Sequence, residues 1–215
     1  MVRGYIILLL LAVSSLLRAQ VPQTDFIDLG LPSRTFWGTC NVGAVLPEEA
    51  GSFFAWGETK NKQSYELESY KHFFMETGTC GNLGNIGGTR NDAATMNLGG
   101  PWRMPTLKEV KELVEQCNWK WTEVNGVGGM KVTGPNGNSI FLPATGYRWG
   151  RKLFGEEDFG YYWTDTQRGY YNLDHAWSLY FDYTGAHTWD FNFRRYHGHV
   201  VRPVCSPSDM YSLNY

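Results

Sequence analysis

Glycine and aromatic residues, rather than charged residues, limit what this chain can fold into. Glycine occupies 25 of the 215 positions and aromatic residues make up 16% of the chain, while charged residues account for only 19%. Long surface helices are rich in lysine, glutamate and alanine, whereas aromatic residues favour strands and glycine favours turns. The composition therefore predicts short strands, tight turns and few helices.

The chain carries almost no net charge. Nineteen basic residues nearly balance 21 acidic ones, which gives a formal charge of -2. A nucleic-acid-binding protein needs a basic stripe that neutralises phosphates, and the sequence contains no such stripe. We therefore expect no nucleic-acid partner.

The first 19 residues have the features of a signal peptide. Arg3 gives a positive start, the stretch from Tyr5 to Leu17 is mainly apolar, and Ala19 precedes the predicted cleavage point at Gln20. The apolar run is shorter than the roughly 20 residues that a membrane-spanning helix needs. We therefore expect a chain without a membrane span that is secreted, periplasmic or located at the cell surface.

The sequence beyond this leader is predicted to form one domain. About 195 residues remain, a length that suits a single domain, and no internal repeat or linker-like stretch divides them. We assign the domain to residues 20–205 and a C-terminal tail to residues 206–215.

Two helices are predicted from local signals. Thr106 and Glu109 have the spacing of a capping box, and the apolar positions within 107–117 repeat on one helical face. A shorter helix is predicted to begin at Asn91 or Asp92, because both residue types are good N-caps.

After Gly126 the sequence favours strands. The residues GPNG at 134–137 separate two β-prone segments and predict a hairpin turn. Further strands are predicted over residues 160–165, 175–182, 187–193 and 199–204. Residues 60–90 have few periodic apolar positions and are predicted to form a long surface excursion.

Eight segments resemble one known family in their order and spacing. They are DLGLP from Asp28, TCNVGA from Thr39, FAWGET from Phe54, GGPWRMPT from Gly99, TGPNGNSIFLPA from Thr133, GYR from Gly146, GYYW from Gly160 and GHVVRPV from Gly198. Together they resemble the Fibrobacter succinogenes major paralogous domain family over nearly all of residues 25–205. That family is similar to formylglycine-generating enzymes and to the variable proteins of diversity-generating retroelements.

The resemblance implies a bacterial α+β domain of the C-type-lectin-like fold. Such a domain has small, twisted antiparallel sheets, two helices and much irregular structure. The two helices and the later hairpins predicted from the residues agree with this architecture. The resemblance further implies that the C-terminal strands and loops present a ligand surface.

Four cysteines are expected to enter an oxidising compartment. An even number of cysteines in an exported protein favours disulfides, and four cysteines can pair in three ways. No CxxC motif and no zinc-finger spacing is present. The resemblance to the family implies a pair of Cys40 with Cys117, which leaves Cys80 with Cys205.

Metal and enzyme chemistry find little support in the sequence. The loop that resembles the calcium loop of animal lectins is LPA at 142–144, which has no side-chain oxygen, and the acidic run at 156–158 is expected to be a solvated turn. The formylglycine-generating reaction needs two neighbouring C-terminal thiols, and only Cys205 lies there. His197 and His199 share a strand face but lack a third metal ligand. We expect no metal, no cofactor and no enzymatic activity.

Aromatic residues are concentrated in the C-terminal region, where 17 of the 34 lie between Tyr147 and Tyr196. Several occupy alternating strand positions and are expected to pack in the core, together with Leu179: Trp163, Trp177, Phe181, Trp189, Phe191 and Phe193. For Trp189 a place at the rim of the ligand surface stays open, since retroelement variable proteins bind with residues of this strand region.

The other aromatic and polar residues of this region are candidate ligand contacts. Aromatic faces beside amides and charges suit sugar rings and protein hot spots alike, so the expected ligand is a protein or a glycan. We predict a site made of Trp149, Tyr170, Tyr171, Asp174, Asp190, Asn192, Arg194, Tyr196 and His199.

The favoured hypothesis is an extracytoplasmic, non-enzymatic ligand-binding module, and one version of it is a retroelement-diversified variable protein. A first alternative is a structural or pilus-type surface-assembly subunit whose aromatic surface mediates self-association. A second is a degenerate enzyme similar to formylglycine-generating enzymes. A large exposed aromatic patch favours binding, whereas a long unpaired edge strand favours assembly.

Overall fold

The computed structural model describes residues 25–169, 173–187 and 193–208. Over these residues the chain is a mixed α+β fold with two helices and four small sheets, and almost all strand pairs are antiparallel. The predicted α+β class is therefore confirmed. Within the same ranges no helix is long and apolar enough to cross a membrane.

Both predicted helices are present and begin at the predicted caps. In α1 (Ala93–Leu98), the Asp92 side chain accepts two hydrogen bonds from the first turn. In α2 (Leu107–Gln116), Thr106 and Glu109 form the reciprocal capping box. Because these signals act over only a few residues, the sequence was sufficient to place both helix starts.

Glu109 also ties α2 to its surroundings. Its carboxylate accepts a hydrogen bond from Thr35 Oγ1 at 2.7 Å and two from the Arg103 guanidinium at 2.6 and 2.8 Å. Burial alone would raise the pKa of Glu109, but the Arg103 guanidinium and the bonds from Thr106 and Thr35 outweigh it and lower the pKa to about 2. The carboxylate therefore stays charged and holds the start of α2 in place.

One three-stranded sheet contains the predicted hairpin. Its strands are β5 (Asn118–Val124), β6 (Val127–Thr133) and β7 (Ser139–Pro143), in that spatial order. The GPNG turn joins β6 to β7, as expected. A Cβ added to Gly134 would lie 2.0 Å from the carbonyl oxygen of Leu29, so this turn can approach the N-terminal segment only because the residue is glycine.

A five-stranded sheet carries most of the C-terminal aromatic residues. In chain order its strands are β8 (Thr145–Trp149), β9 (Lys152–Glu156), β10 (Phe159–Gln167), β11 (Ala176–Asp182) and β12 (Gly185–His187). Their spatial order is β12, β11, β10, β8 and β9. The predicted strands at 160–165 and 175–182 are thus confirmed. Of the strand predicted at 187–193, only the first residue lies in β12, and residues 188–192 lie outside the described ranges.

The two ends of the described chain pair in a third sheet. It consists of β1 (Phe26–Asp28), β2 (Phe36–Gly38) and β13 (Val204–Cys205), with β2 in the centre. The predicted strand at 199–204 is wrong in extent. Residues before Val204 instead form isolated bridges, such as His199 with Phe54 and Val200 with Tyr162. Successive residues of this segment pair with different parts of the chain, so no continuous strand pairing forms.

Residues 60–90 are not a simple surface excursion, which corrects the prediction. They contain a 3-10 turn (Leu67–Ser69) and a fourth, two-stranded sheet of β3 (Phe73–Phe74) and β4 (Thr79–Cys80). Tyr65 and Tyr70 are buried, and their hydroxyls donate to backbone carbonyls at 2.7 Å. These scattered aromatic residues anchor the segment to the core without any sequence periodicity.

The four cysteines form no disulfide, so neither predicted pair is present. Cys40 follows β2 and its thiol lies 3.3 Å from the Val45 carbonyl oxygen, whereas Cys117 ends α2. Cys80 lies in the small β3–β4 sheet and Cys205 in β13. The predicted pairing came from the family resemblance. Spacing along the chain does not show which cysteines lie within the Cα–Cα distance that a disulfide requires.

Candidate functional site

The neighbouring strands β8 and β10 place Tyr147 and Tyr161 on one face of the five-stranded sheet. β8 and β10 run parallel and are paired at Gly146 and Gly160. This register puts Tyr147 beside Tyr161, with ring centroids 5.4 Å apart. A Cβ on Gly160 would lie 2.2 Å from the Phe181 ring, so glycine is what lets β10 pack closely at this point.

The next strand, β11, adds a third tyrosine to the same face. Tyr180 lies directly opposite Tyr161 in the antiparallel register, and their ring centroids are 4.9 Å apart. The Tyr180 hydroxyl donates to Asp182 Oδ2 at 2.8 Å. Burial and this hydrogen bond raise the pKa of Tyr180 to about 12, and burial also raises the pKa of Tyr161. Both phenols therefore remain neutral.

The segment from residue 193 to 199 closes the site from the side, and Arg195 anchors it. The Arg195 side chain is fully buried, donates to the Tyr70 hydroxyl at 2.8 Å, and lies 4.6 Å from the Trp56 ring centroid. The Arg195 carbonyl oxygen also accepts from the Trp56 backbone N–H at 2.7 Å. These contacts fix the neighbouring side chains, among them Phe193, whose ring lies 4.2 Å from that of Tyr161.

Together these elements surround an open cavity of ≈ 490 Å³, which we call the aromatic basin. Its lining residues are Tyr147, Trp149, Tyr161, Tyr180, Phe193, Arg194, Tyr196 and His197. Seven of the eight carry a ring and none carries a carboxylate. Trp149 is 52% exposed, so much of its indole faces solvent at the mouth of the basin.

His197 lies against several rings of the basin. Its ring centroid is 5.7 Å from that of Tyr147, 5.8 Å from that of Trp149 and 4.8 Å from that of Tyr196. Its Nδ1 is buried and has no hydrogen-bond partner among the described residues. Burial, helped by the positive charge of Arg194, lowers the pKa of His197 to about 4. The imidazole is therefore neutral at physiological pH.

Charge is confined to one edge of the basin. The Arg194 guanidinium forms an ion pair with Asp174 at 2.6 Å, and the other oxygen of Asp174 lies 2.8 Å from His175 Nδ1. Asp174 itself lies outside the basin, on a neighbouring cleft of ≈ 280 Å³ that Arg194 also lines. Because this pair is partly exposed, it contributes little to stability and leaves the arginine accessible at the rim.

The structure brings part of the predicted site together. Trp149, Arg194 and Tyr196 line the basin, and Asp174 pairs with Arg194 at its edge. Four other predicted contacts lie outside the described residues: Tyr170, Tyr171, Asp190 and Asn192. So do Trp189 and Phe191, which were expected in the core.

His199 was predicted as a ligand contact, and the structure corrects this. Its side chain is 0% exposed, and its ring stacks on Trp163 with centroids 3.8 Å apart. The rings of Tyr161 and Phe193 lie 5.3 and 4.8 Å from it on the basin side. His199 thus supports the wall of the basin from behind and cannot touch a ligand in the basin.

Five lining residues were not predicted: Tyr147, Tyr161, Tyr180, Phe193 and His197. Tyr147 precedes Trp149 by two positions, which in a strand puts both on one face, so this residue could have been found from the sequence. The pairing of Tyr161 with Tyr180 depends on the register of β10 and β11, which the sequence did not define. Phe193 was expected in the core but is only half-buried.

Comparison with other proteins adds no identification. No protein-family profile, curated protein or solved structure matches this chain. In the described part of the chain, no group of three or more histidine, cysteine or acidic residues is placed to hold a metal ion. The basin offers a ligand its rings, its hydroxyls and one guanidinium.

Proposed function

We propose that this chain is an extracytoplasmic, non-enzymatic ligand-binding module of the C-type-lectin-like fold, and that the aromatic basin is its ligand site. Two short helices combined with small antiparallel sheets support this fold. The sequence resemblance over residues 25–205 supports it independently. The fold family and a ligand surface on the C-terminal strands are both implied by that resemblance. Export is proposed from the leader sequence at residues 1–19.

The observation that carries the proposal is the solvent-facing ring surface of the basin. Water contact with so many apolar ring atoms is unfavourable, and monomeric proteins seldom retain such a patch unless it binds something. The rings of Tyr147 and Trp149 stand on adjacent outward positions of β8. They offer flat faces on which a sugar ring or an apolar side chain of a protein can stack.

The polar groups of the basin define the chemistry further. No carboxylate lines it, His197 is neutral, and the guanidinium of Arg194 is already paired with Asp174. A strongly cationic ligand would therefore find no countercharge in the basin. A neutral glycan or an uncharged face of a protein fits this lining, with the tyrosine hydroxyls as hydrogen-bond partners.

Replacing Trp149 by alanine is expected to weaken ligand binding by at least about 2 kcal/mol, or roughly 30-fold in Kd, because exposed aromatic anchors dominate such sites. The measurement is a glycan and protein array probed with the chain, followed by titration of the strongest ligand. Phe74→Ala is a matched control, since Phe74 is 51% exposed and lies in β3 rather than in the basin. Equal affinities for the Trp149→Ala variant and the unaltered chain would refute the proposal.

A further inference from the structure

A second cavity lies on the opposite side of β8 from the aromatic basin. Side chains alternate along a strand, so Tyr147 and Trp149 face the basin while Arg148 points the other way. Arg148 lines a separate open cavity of ≈ 490 Å³, which we call the basic cleft. Its polar side chains are Ser52, Asn61, Lys62, Gln63, Arg148 and Arg151.

The basic cleft concentrates positive charge in a chain whose formal net charge is -2. Three cationic residues line it and no carboxylate does. Lys62 is neutralised by Glu58, at 3.0 Å. Neither Arg148 nor Arg151 forms an ion pair among the described residues, although the Glu66 side chain lies close to Gly150, the residue before Arg151.

Arg148 is the most constrained of these cations. It is half-buried, and its guanidinium lies 4.9 Å from the centroid of the Phe53 ring. A half-buried guanidinium without a carboxylate partner leaves its five N–H donors available to solvent or to a ligand in the cleft. An oxyanion in the cleft would supply both the acceptors and the countercharge.

The walls of the cleft are held in position by the backbone. Tyr65 and Gly150 exchange two backbone hydrogen bonds, of 2.8 and 3.1 Å, and the Tyr65 hydroxyl donates to the Phe53 carbonyl oxygen at 2.7 Å. The Arg148 backbone N–H donates to the Gly198 carbonyl oxygen at 2.8 Å. The cations are therefore carried by segments already fixed to one another, which lowers the entropic cost of binding.

We propose that the basic cleft binds a polar organic anion of about monosaccharide size, through a carboxylate or a sulfate group. The planar guanidinium of Arg148 suits two-point contact with either group, and Arg151 adds a second charge at the mouth. Ser52, Asn61 and Gln63 provide hydroxyl and amide groups for the hydroxyls of such a molecule. This proposal is independent of ligand binding in the aromatic basin.

The test is a titration of the full chain at low salt with three sugars that differ in charge. Changes in the NMR chemical shifts of the protein report binding. Glucuronate and glucose 6-sulfate are expected to give saturable shifts, and neutral glucose is not. The ratio of the two affinities identifies which oxyanion the cleft prefers. Binding is expected to weaken as salt is added, because the attraction is electrostatic.

Variants then locate the binding. Arg148→Gln is expected to weaken anion binding by about ten-fold or more, since hydrogen bonds to charged groups are worth at least one factor of ten. Arg151→Gln, at an exposed position that carries no packing, should weaken binding in the same direction even if Arg148→Gln perturbs the fold. Arg90→Gln removes the same charge from an exposed position elsewhere and should change nothing. Trp149→Ala should also leave anion binding intact, which separates this cleft from the basin.

Several results would overturn the proposal. The first is the absence of saturable binding for both anions. The second is binding of glucose as strong as that of glucuronate. The third is unchanged anion affinity in both Arg148→Gln and Arg151→Gln.

Discussion

Replacing Arg202 with alanine is expected to lower the free energy of unfolding by about 3–5 kcal/mol, because it leaves four hydrogen-bond acceptors without their donor, at about 1–3 kcal/mol for each buried one. Arg202 is 1% exposed. Its guanidinium donates to Asn41 Oδ1 at 2.9 Å, to the Gly38 carbonyl oxygen at 3.0 Å and to the Phe141 carbonyl oxygen at 2.8 Å, and also to the Thr39 carbonyl oxygen. It thus joins the region after β2 to the edge strand β7.

Urea unfolding of the two proteins at pH 7 measures this effect. Arg90→Ala is the matched control, since Arg90 is exposed and its loss should change the free energy of unfolding by no more than about 0.5 kcal/mol. Arg202→Lys keeps the charge but cannot reach all of the acceptors, so it should fall between the two. A loss below about 1 kcal/mol for Arg202→Ala would contradict the structural role given to this arginine.

Acidification from pH 7 to pH 5 is expected to destabilise the fold through His197 and His199. Burial lowers the pKa of His197 to about 4 and the pKa of His199 well below its usual range, whereas both titrate near 6.5 in the unfolded chain. As pH falls through 6.5, the unfolded chain takes up protons that the folded chain does not. The free energy of unfolding therefore falls by about 2 kcal/mol for each histidine, or about 4 kcal/mol together.

Comparison of variants isolates this contribution from that of other groups. His199→Phe keeps a ring against Trp163 but cannot be protonated, so it should lose about 2 kcal/mol of the difference between pH 7 and pH 5. Phe74→Ala, at an exposed position in β3, leaves both histidines in place and should retain the full difference. If His199→Phe and the unaltered chain show the same pH dependence, His199 is already charged or accessible in the fold.

Local signals were enough to predict the helices and one hairpin. The capping box of Thr106 with Glu109 and the Asp92 cap act within four residues, so they define helix starts without any tertiary information. The GPNG turn acts in the same way, because its residues supply the turn dihedrals. The alternation in β11 also placed Tyr180 and Phe181 on opposite faces, and only Phe181 is fully buried.

What the sequence could not supply was the pairing of distant segments. The aromatic basin depends on Gly146 facing Gly160 across β8 and β10, which are neighbours in the sheet but are separated along the chain by β9. His199 was predicted to begin a regular strand and to share a face with His197, whereas only His197 lines the basin and His199 is buried. Its burial follows instead from an isolated bridge to Phe54, a contact between residues 145 positions apart.

The most direct test of the basin as ligand site is a crystal structure of the chain with the strongest ligand from the glycan and protein arrays. We expect electron density for a sugar ring or an apolar side chain stacked on Trp149 and Tyr147, with a hydrogen bond to a tyrosine hydroxyl of the basin. Density for the same ligand elsewhere on the surface, with the basin filled only by water, would contradict it.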